Sequence, residues 1–292
     1  MSEACGISHP FSASIVSPPG KWARVLQYAV PCLFLLFLAC TKAPAERLSI
    51  TPLRCLSHEA ISAIRHNPEM NLSKAFAQCE TEFSTRLSSF KMRSSDIKFV
   101  FSAIAAHEMA PYGESTVLNL PSLLQEKHLD CDNYIVLAGH FAKLLSPGRQ
   151  NDVMFVGVDG KAVGNHAQIF FRLSDGREVL ADPTIGLYAN ASFNHLFSGK
   201  KLASDQIVVM YAHRNPELAP FVIRVHSAIR DGQYHPSDLL YYSQGLDRFL
   251  RFSDGLAPFW RGGRKSLPEL IARYPTPAAS ELEKTLNASM PR

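Results

Sequence analysis

Several kinds of site are missing from this chain of 292 residues. It contains no Cys-x-x-Cys pair, which excludes a zinc ribbon. No block of five or more like charges occurs, Lys and Arg are scattered, and the formal net charge is only +4, so no nucleic-acid footprint is present. His107-Glu108 opens the zinc-protease pattern, but Pro111 stands where the second His belongs. No internal repeat is visible, and nothing implies a metal or an organic cofactor. What remains is an ordinary globular composition, 46% hydrophobic and 19% charged, which suits one main domain with an appended segment.

The first 45 residues stand apart. Lys21 and Arg24 precede an apolar stretch from Val25 to Ala39, the layout of an export signal. The stretch is short for a membrane span and Pro31 interrupts it. Its end, Phe37-Leu38-Ala39-Cys40, resembles a bacterial lipoprotein cleavage box in which Cys40 would be lipidated, although Phe37 replaces the usual Leu. Ala43-Pro44-Ala45 also fits ordinary signal cleavage, and a retained anchor is the third option. All three put the folded part outside the cytoplasm, periplasmic or membrane-anchored, with the leader or its lipid as the membrane contact. In such a compartment Cys55 and Cys79 could bridge, leaving Cys131 alone; three buried free thiols are the alternative.

Periodicity predicts helices over His58–His66 with Ser57 as N-cap, Leu72–Phe90, Ile97–Met109 and Asp132–Leu145. Strands are expected at Val153–Val158, His166–Leu173, Arg177–Asp182 and Ile207–Tyr211, and further helices at Pro220–Arg230 and Pro236–Arg251. Tyr241, Tyr242 and Trp260 read as packing residues, and His107 as structural.

Cys131 opens the fourth helix, His166 follows 35 residues later on a strand, and Asp182 ends the next strand before Pro183 and Thr184. A helix N-terminus and a neighbouring imidazole both favour a thiolate, and a carboxylate can hold the imidazole in the right tautomer. If the thiolate is preformed, Cys131 should outpace a free thiol in alkylation at pH 6, which discriminates a thiol enzyme from a non-catalytic domain. Asp132 in the first turn works slightly against this.

His166, Gln168 and Phe170 share one strand face. Ala167, Ile169 and Phe171 share the other, which makes the better core and leaves His166 on the more open side. A two-residue Asp175-Gly176 turn would carry Asp182 to the face away from His166. A three-residue loop with Gly176 left-handed pairs Leu173 with Arg177 and sets Asp182 opposite Gln168, diagonal to His166. The second register is the one expected.

Leu129 to Ala138, Gly164 to Phe171 and Val179 to Gly186 together resemble the transglutaminase-like superfamily, relatives of papain-like thiol enzymes. Leu129 stands where the family often has Gly, and Gln168 where it often has an aromatic residue. The resemblance implies an α+β fold, with helices packed on a small antiparallel sheet over residues 96–190. A helical segment (46–95) would precede it and a mostly helical C-terminal extension (191–292) would follow. It implies that Cys131 attacks an amide carbonyl of a peptide or protein to give a thioester, that His166 moves the proton and that Asp182 orients His166. It also makes Gln125, six residues before Cys131, an oxyanion candidate beside the Cys131 N–H. A cysteine protease or amidase is the leading expectation. The alternatives are a protein-glutamine acyltransferase and a non-catalytic scaffold of the same fold.

Overall fold

A computed structural model describes residues 53–115, 117, 119–210 and 218–250. The leader, with Cys40 and both cleavage options, and the last 42 residues lie outside these.

Four longer helices build the first half. Helix α1 (His58–His66) is capped by the Ser57 hydroxyl, which accepts from the Ala60 N–H. Helix α2 (Pro68–Arg86) starts four residues earlier than the spacing predicts. Pro68 fills its first turn, where no N–H is needed, and the Asn67 side chain caps it by accepting from Met70. Thus Pro68 begins one helix as well as ending another. Helix α3 (Ser94–His107), the short α4 (Leu120–Leu123) and α5 (Cys131–Leu145) follow. Strands β1 (Val153–Gly160), β2 (Gly164–Arg172), β3 (Glu178–Asp182), β4 (Leu187–Ala189) and β5 (Ile207–Val209) form an antiparallel meander. The short helix α6 (Phe193–Phe197) lies between β4 and β5. Helix α7 (Ala219–Arg230) then leads to β6 (Leu239–Gln244), which pairs with β1 at the far edge. The sheet order is β5-β4-β3-β2-β1-β6.

The fold is therefore α+β, with one six-stranded antiparallel sheet. Among the described residues, the stretch after residue 190 carries α6 and α7 and also supplies both edge strands of that sheet, so it is built into the sheet rather than appended to it. Residues 239–244 are strand where helical spacing is expected, and the chain turns helical only at 246–250.

Both sheet faces are covered. Phe155, Ala167, Ile169, Phe171, Val179 and Ala181 pack with α1, α2, α3 and α5. Met154, Val156, Val158, Phe170, Leu180 and Leu187 pack with α6 and α7 through Phe193, Leu196, Val222, Val225 and Ile229. The face of His166 is thus roofed: the ring meets Phe221 of α7 edge-on at 4.8 Å and His166 is only 3% exposed, which corrects the expectation of an open side.

The hairpin between β2 and β3 has the three-residue loop. Leu173 N–H donates to the Arg177 carbonyl at 2.7 Å, Gly176 takes φ 85°, and Phe171 faces Val179. Asp96 of α3 holds this loop, accepting from the Ser174 N–H at 2.8 Å and its hydroxyl at 2.7 Å, while Arg149 donates to Asp96 at 2.8 Å and to the Arg172 carbonyl at 2.6 Å. Asp96 is buried and both its oxygens are engaged, so the loop is tied to α3 and to Arg149 in this one register.

A disulfide joins Cys55 to Cys79 of α2 across 24 residues. Cross-linking a loop of that length stabilises by roughly 3 kcal/mol through the unfolded chain. A Cys55→Ala, Cys79→Ala double variant should lose about that amount in urea unfolding. A loss below about 1 kcal/mol would show that the bond constrains little.

Candidate active site

The site begins at the first residue of α5. Asp130 caps the helix: its carboxylate accepts from the Asn133 N–H at 2.9 Å, and the Asn133 side chain accepts from the Asp130 N–H at 3.0 Å. Asn133 also donates to the Val117 carbonyl at 2.7 Å, and the Tyr134 hydroxyl to the Ala110 carbonyl at 2.6 Å. These bonds tie the helix start to the segment after α3, with Tyr112 paired alongside Leu129. Cys131 is held at a positive helix end, half-buried, as a free thiol.

The hairpin register supplies the next two groups. His166 and Gln168 share a face of β2, and Asp182 falls opposite Gln168 on β3. His166 Nε2 and Asp182 Oδ2 are 2.6 Å apart, both side chains essentially buried. With Nε2 donating to the carboxylate, Nδ1 is the nitrogen that can take a proton. Asp182 also accepts from Gln168 Nε2 at 3.1 Å and from the Thr184 N–H at 3.2 Å. His107 Nδ1 donates to the Pro183 carbonyl at 2.8 Å, so this structural histidine fixes the residue after the carboxylate.

The sheet explains how a helix on one face starts beside the strand margin that carries a histidine on the other. The alternation set by Leu173 and Arg177 points the N–H groups of odd-numbered β2 residues at β3. The ladder ends at Ile169–Ala181, and the residue opposite Ala167 is Pro183, which has no N–H and whose carbonyl serves His107. The Ala167 N–H, next along from His166, is directed instead at the Cys131 sulfur. The thiol sits at the margin where β3 leaves β2. There Asp182 lies within electrostatic range of Cys131, and His166 within range of Asp132.

Asp132 is hydrogen-bonded by the Tyr241 hydroxyl at 2.6 Å. Tyr241 reaches it by lying across β1 at Gly157, where any Cβ would overlap the ring. Gly157 in a buried strand was the signal available for this contact, and periodicity alone passes over it. Tyr234, which accepts from Gln168 at 3.0 Å, carried no sequence signal. Gln125 lies exposed just after α4, and no hydrogen bond joins its side chain to the site among the described residues.

The electrostatics reverse one expectation. Burial pushes the Cys131 thiol well above the ordinary thiol range, Asp132 and Asp130 push it further, and the Ala167 N–H opposes them. Cys131 therefore rests as a thiol rather than as a preformed thiolate. Burial also lifts the Asp130 carboxyl to about 6. Its folded value is raised, so it favours the fold below about pH 4 and that contribution is lost as pH rises through about 6. Iodoacetamide should accordingly label Cys131 more slowly than a free thiol at pH 6. Asp132→Asn should shift the rate–pH curve down by about one unit, since one near carboxylate opposes the charge less. Labelling at pH 6 faster than the control would contradict this.

No family model and no curated protein sequence matches the chain, so the functional reading rests on the site.

Proposed function

We propose that the chain is an exported thiol enzyme with a transglutaminase-like, papain-like core, cutting amide bonds of a peptide or protein. The supporting observation is the hydrogen bond from His166 Nε2 to Asp182 on the same sheet margin where the Ala167 N–H faces the Cys131 sulfur. Cys131 Sγ attacks the carbonyl carbon as its proton passes to His166 Nδ1. Asp182 stabilises the imidazolium through Nε2–H. The oxyanion gathers at the N-terminus of α5, where the Cys131 N–H has no partner within the helix. His166 then gives the proton to the leaving amine, the C–N bond breaks and a thioester remains. Water, deprotonated by His166, attacks the thioester, releasing a carboxylic acid and restoring the thiol.

A location outside the cytoplasm agrees with the Cys55–Cys79 disulfide. The leader, or a lipid on Cys40, supplies the membrane contact.

The test is turnover of a peptide library with and without a primary amine. Acid products that persist at high amine concentration support a hydrolase. Amide products that displace them support an acyltransferase. No turnover under either condition, with Cys131 intact, leaves a scaffold.

A further inference from the structure

The same oxygen of Asp182 that receives His166 Nε2 at 2.6 Å also receives the Gln168 amide at 3.1 Å. The second N–H of that amide goes to the Tyr234 hydroxyl oxygen at 3.0 Å. The orientation of the amide is unambiguous, because the reverse would set its carbonyl against a carboxylate. Gln168, Tyr234 and Asp182 are all at most 1% exposed. An uncharged polar side chain is costly to bury, and an amide holding its two N–H groups on Asp182 and Tyr234 has a use beyond packing. Tyr234 follows α7, so the segment that roofs His166 with Phe221 also anchors the amide that binds the carboxylate behind it.

From this chain of contacts we infer that Gln168, anchored by Tyr234, is a positioning residue for the histidine–aspartate pair: it holds the Asp182 carboxylate in place and shares the oxygen that His166 binds, limiting how strongly that oxygen draws the imidazole proton. The inference rests on the thiol-enzyme reading for its role in turnover, but its geometry stands without that reading. Two donors on one oxygen divide its lone-pair density. Removing one strengthens the other and favours the charged imidazolium. Other groups surround this pair. Asp182 lies within electrostatic range of Cys131 and Tyr234, and His166 within range of Asp132. Around these stand Asp130 at the cap of α5, Tyr241 of β6 on Asp132, His107 of α3 on the Pro183 carbonyl, Arg224 of α7 over the Phe221 ring and Asp238 beside Tyr234. None of these differs between the two proteins compared in each measurement below, so they act as a constant background.

Gln168→Met keeps the volume and removes the donor. The acid limb of kcat/KM should move up by about one pH unit, and kcat should fall about tenfold as Asp182 loses its second tether. Tyr234→Phe, which leaves the amide in place but unanchored, should move the limb the same way by less. Nuclear magnetic resonance titration of the His166 ring, in full-length Cys131→Ala protein with and without Gln168→Met, reads the same displacement without turnover. An upward shift in the titration upholds the inference even if no amide is ever cleaved, in which case only the enzyme reading fails. An unmoved limb and an unmoved titration, with a lowered melting temperature as the sole effect, would make Gln168 a packing residue and overturn it.

Discussion

Replacing Cys131 with Ala is expected to lower turnover of any amide substrate by at least ~1,000-fold, with the fold unchanged. The loss is large because every covalent step passes through one sulfur, and no other free cysteine occurs among the described residues. The fold should survive because Cys131 is half-buried at a helix start that is secured by its neighbours. Asp130 and Asn133 cap the helix, and Tyr134 ties it to Ala110. Cys131→Ser is the sharper control, since it keeps the size and a hydrogen-bonding hydroxyl but not the nucleophilicity of sulfur. Unfolding curves that superimpose on the wild type, with turnover gone, would separate chemistry from stability. Turnover within tenfold of wild type in both variants would remove Cys131 from the mechanism.

Asp182→Asn should lower kcat/KM on the order of 10³–10⁴-fold. Three donors converge on this carboxylate: His166 Nε2, Gln168 Nε2 and the Thr184 N–H. An amide has one oxygen, so no orientation satisfies all three. With its NH₂ toward His166, the imidazole must accept at Nε2 and carry its proton on Nδ1, where it cannot receive the thiol proton. With its NH₂ toward Thr184, it sets two donors against each other in a fully buried site. That costs about 1–3 kcal/mol of stability. A loss of stability without a loss of rate would mean that Asp182 only supports the fold.

The hairpin that brings His166 to Asp182 was legible because Ser174-Asp175-Gly176 admits few turn geometries, and only one of them puts both side chains on one face. Helix α5 was legible from its apolar spacing and from Pro147 and Gly148 beyond it. Strand β6 was not. Leu239, Tyr242, Leu246 and Phe249 recur at helical spacing, and the alternation of Tyr241 and Ser243 with Leu240 and Gln244 is shallow because the strand joins a sheet covered on both faces. The roof over His166 was hidden for the same reason. A strand buried on both sides gives no sign of which helix will cover it, and α7 lies more than 50 residues downstream of His166. The state of the thiol was not legible, because the helix end and the imidazole favour a thiolate and Asp132 is the one opposing group visible along the chain. Burial and the capping carboxylate Asp130, both products of the folded arrangement, outweigh them.

In the proposed mechanism Cys131, His166 and Asp182 act together to form and resolve a thioester. The most direct test is to quench the protein in acid during turnover of a peptide substrate and weigh the Cys131 peptide by mass spectrometry. An added acyl mass on Cys131, released by hydroxylamine and absent in His166→Ala, is the expected result. Product accumulating with no acyl mass on Cys131 at any time, and at the same rate after Cys131→Ala, would contradict it.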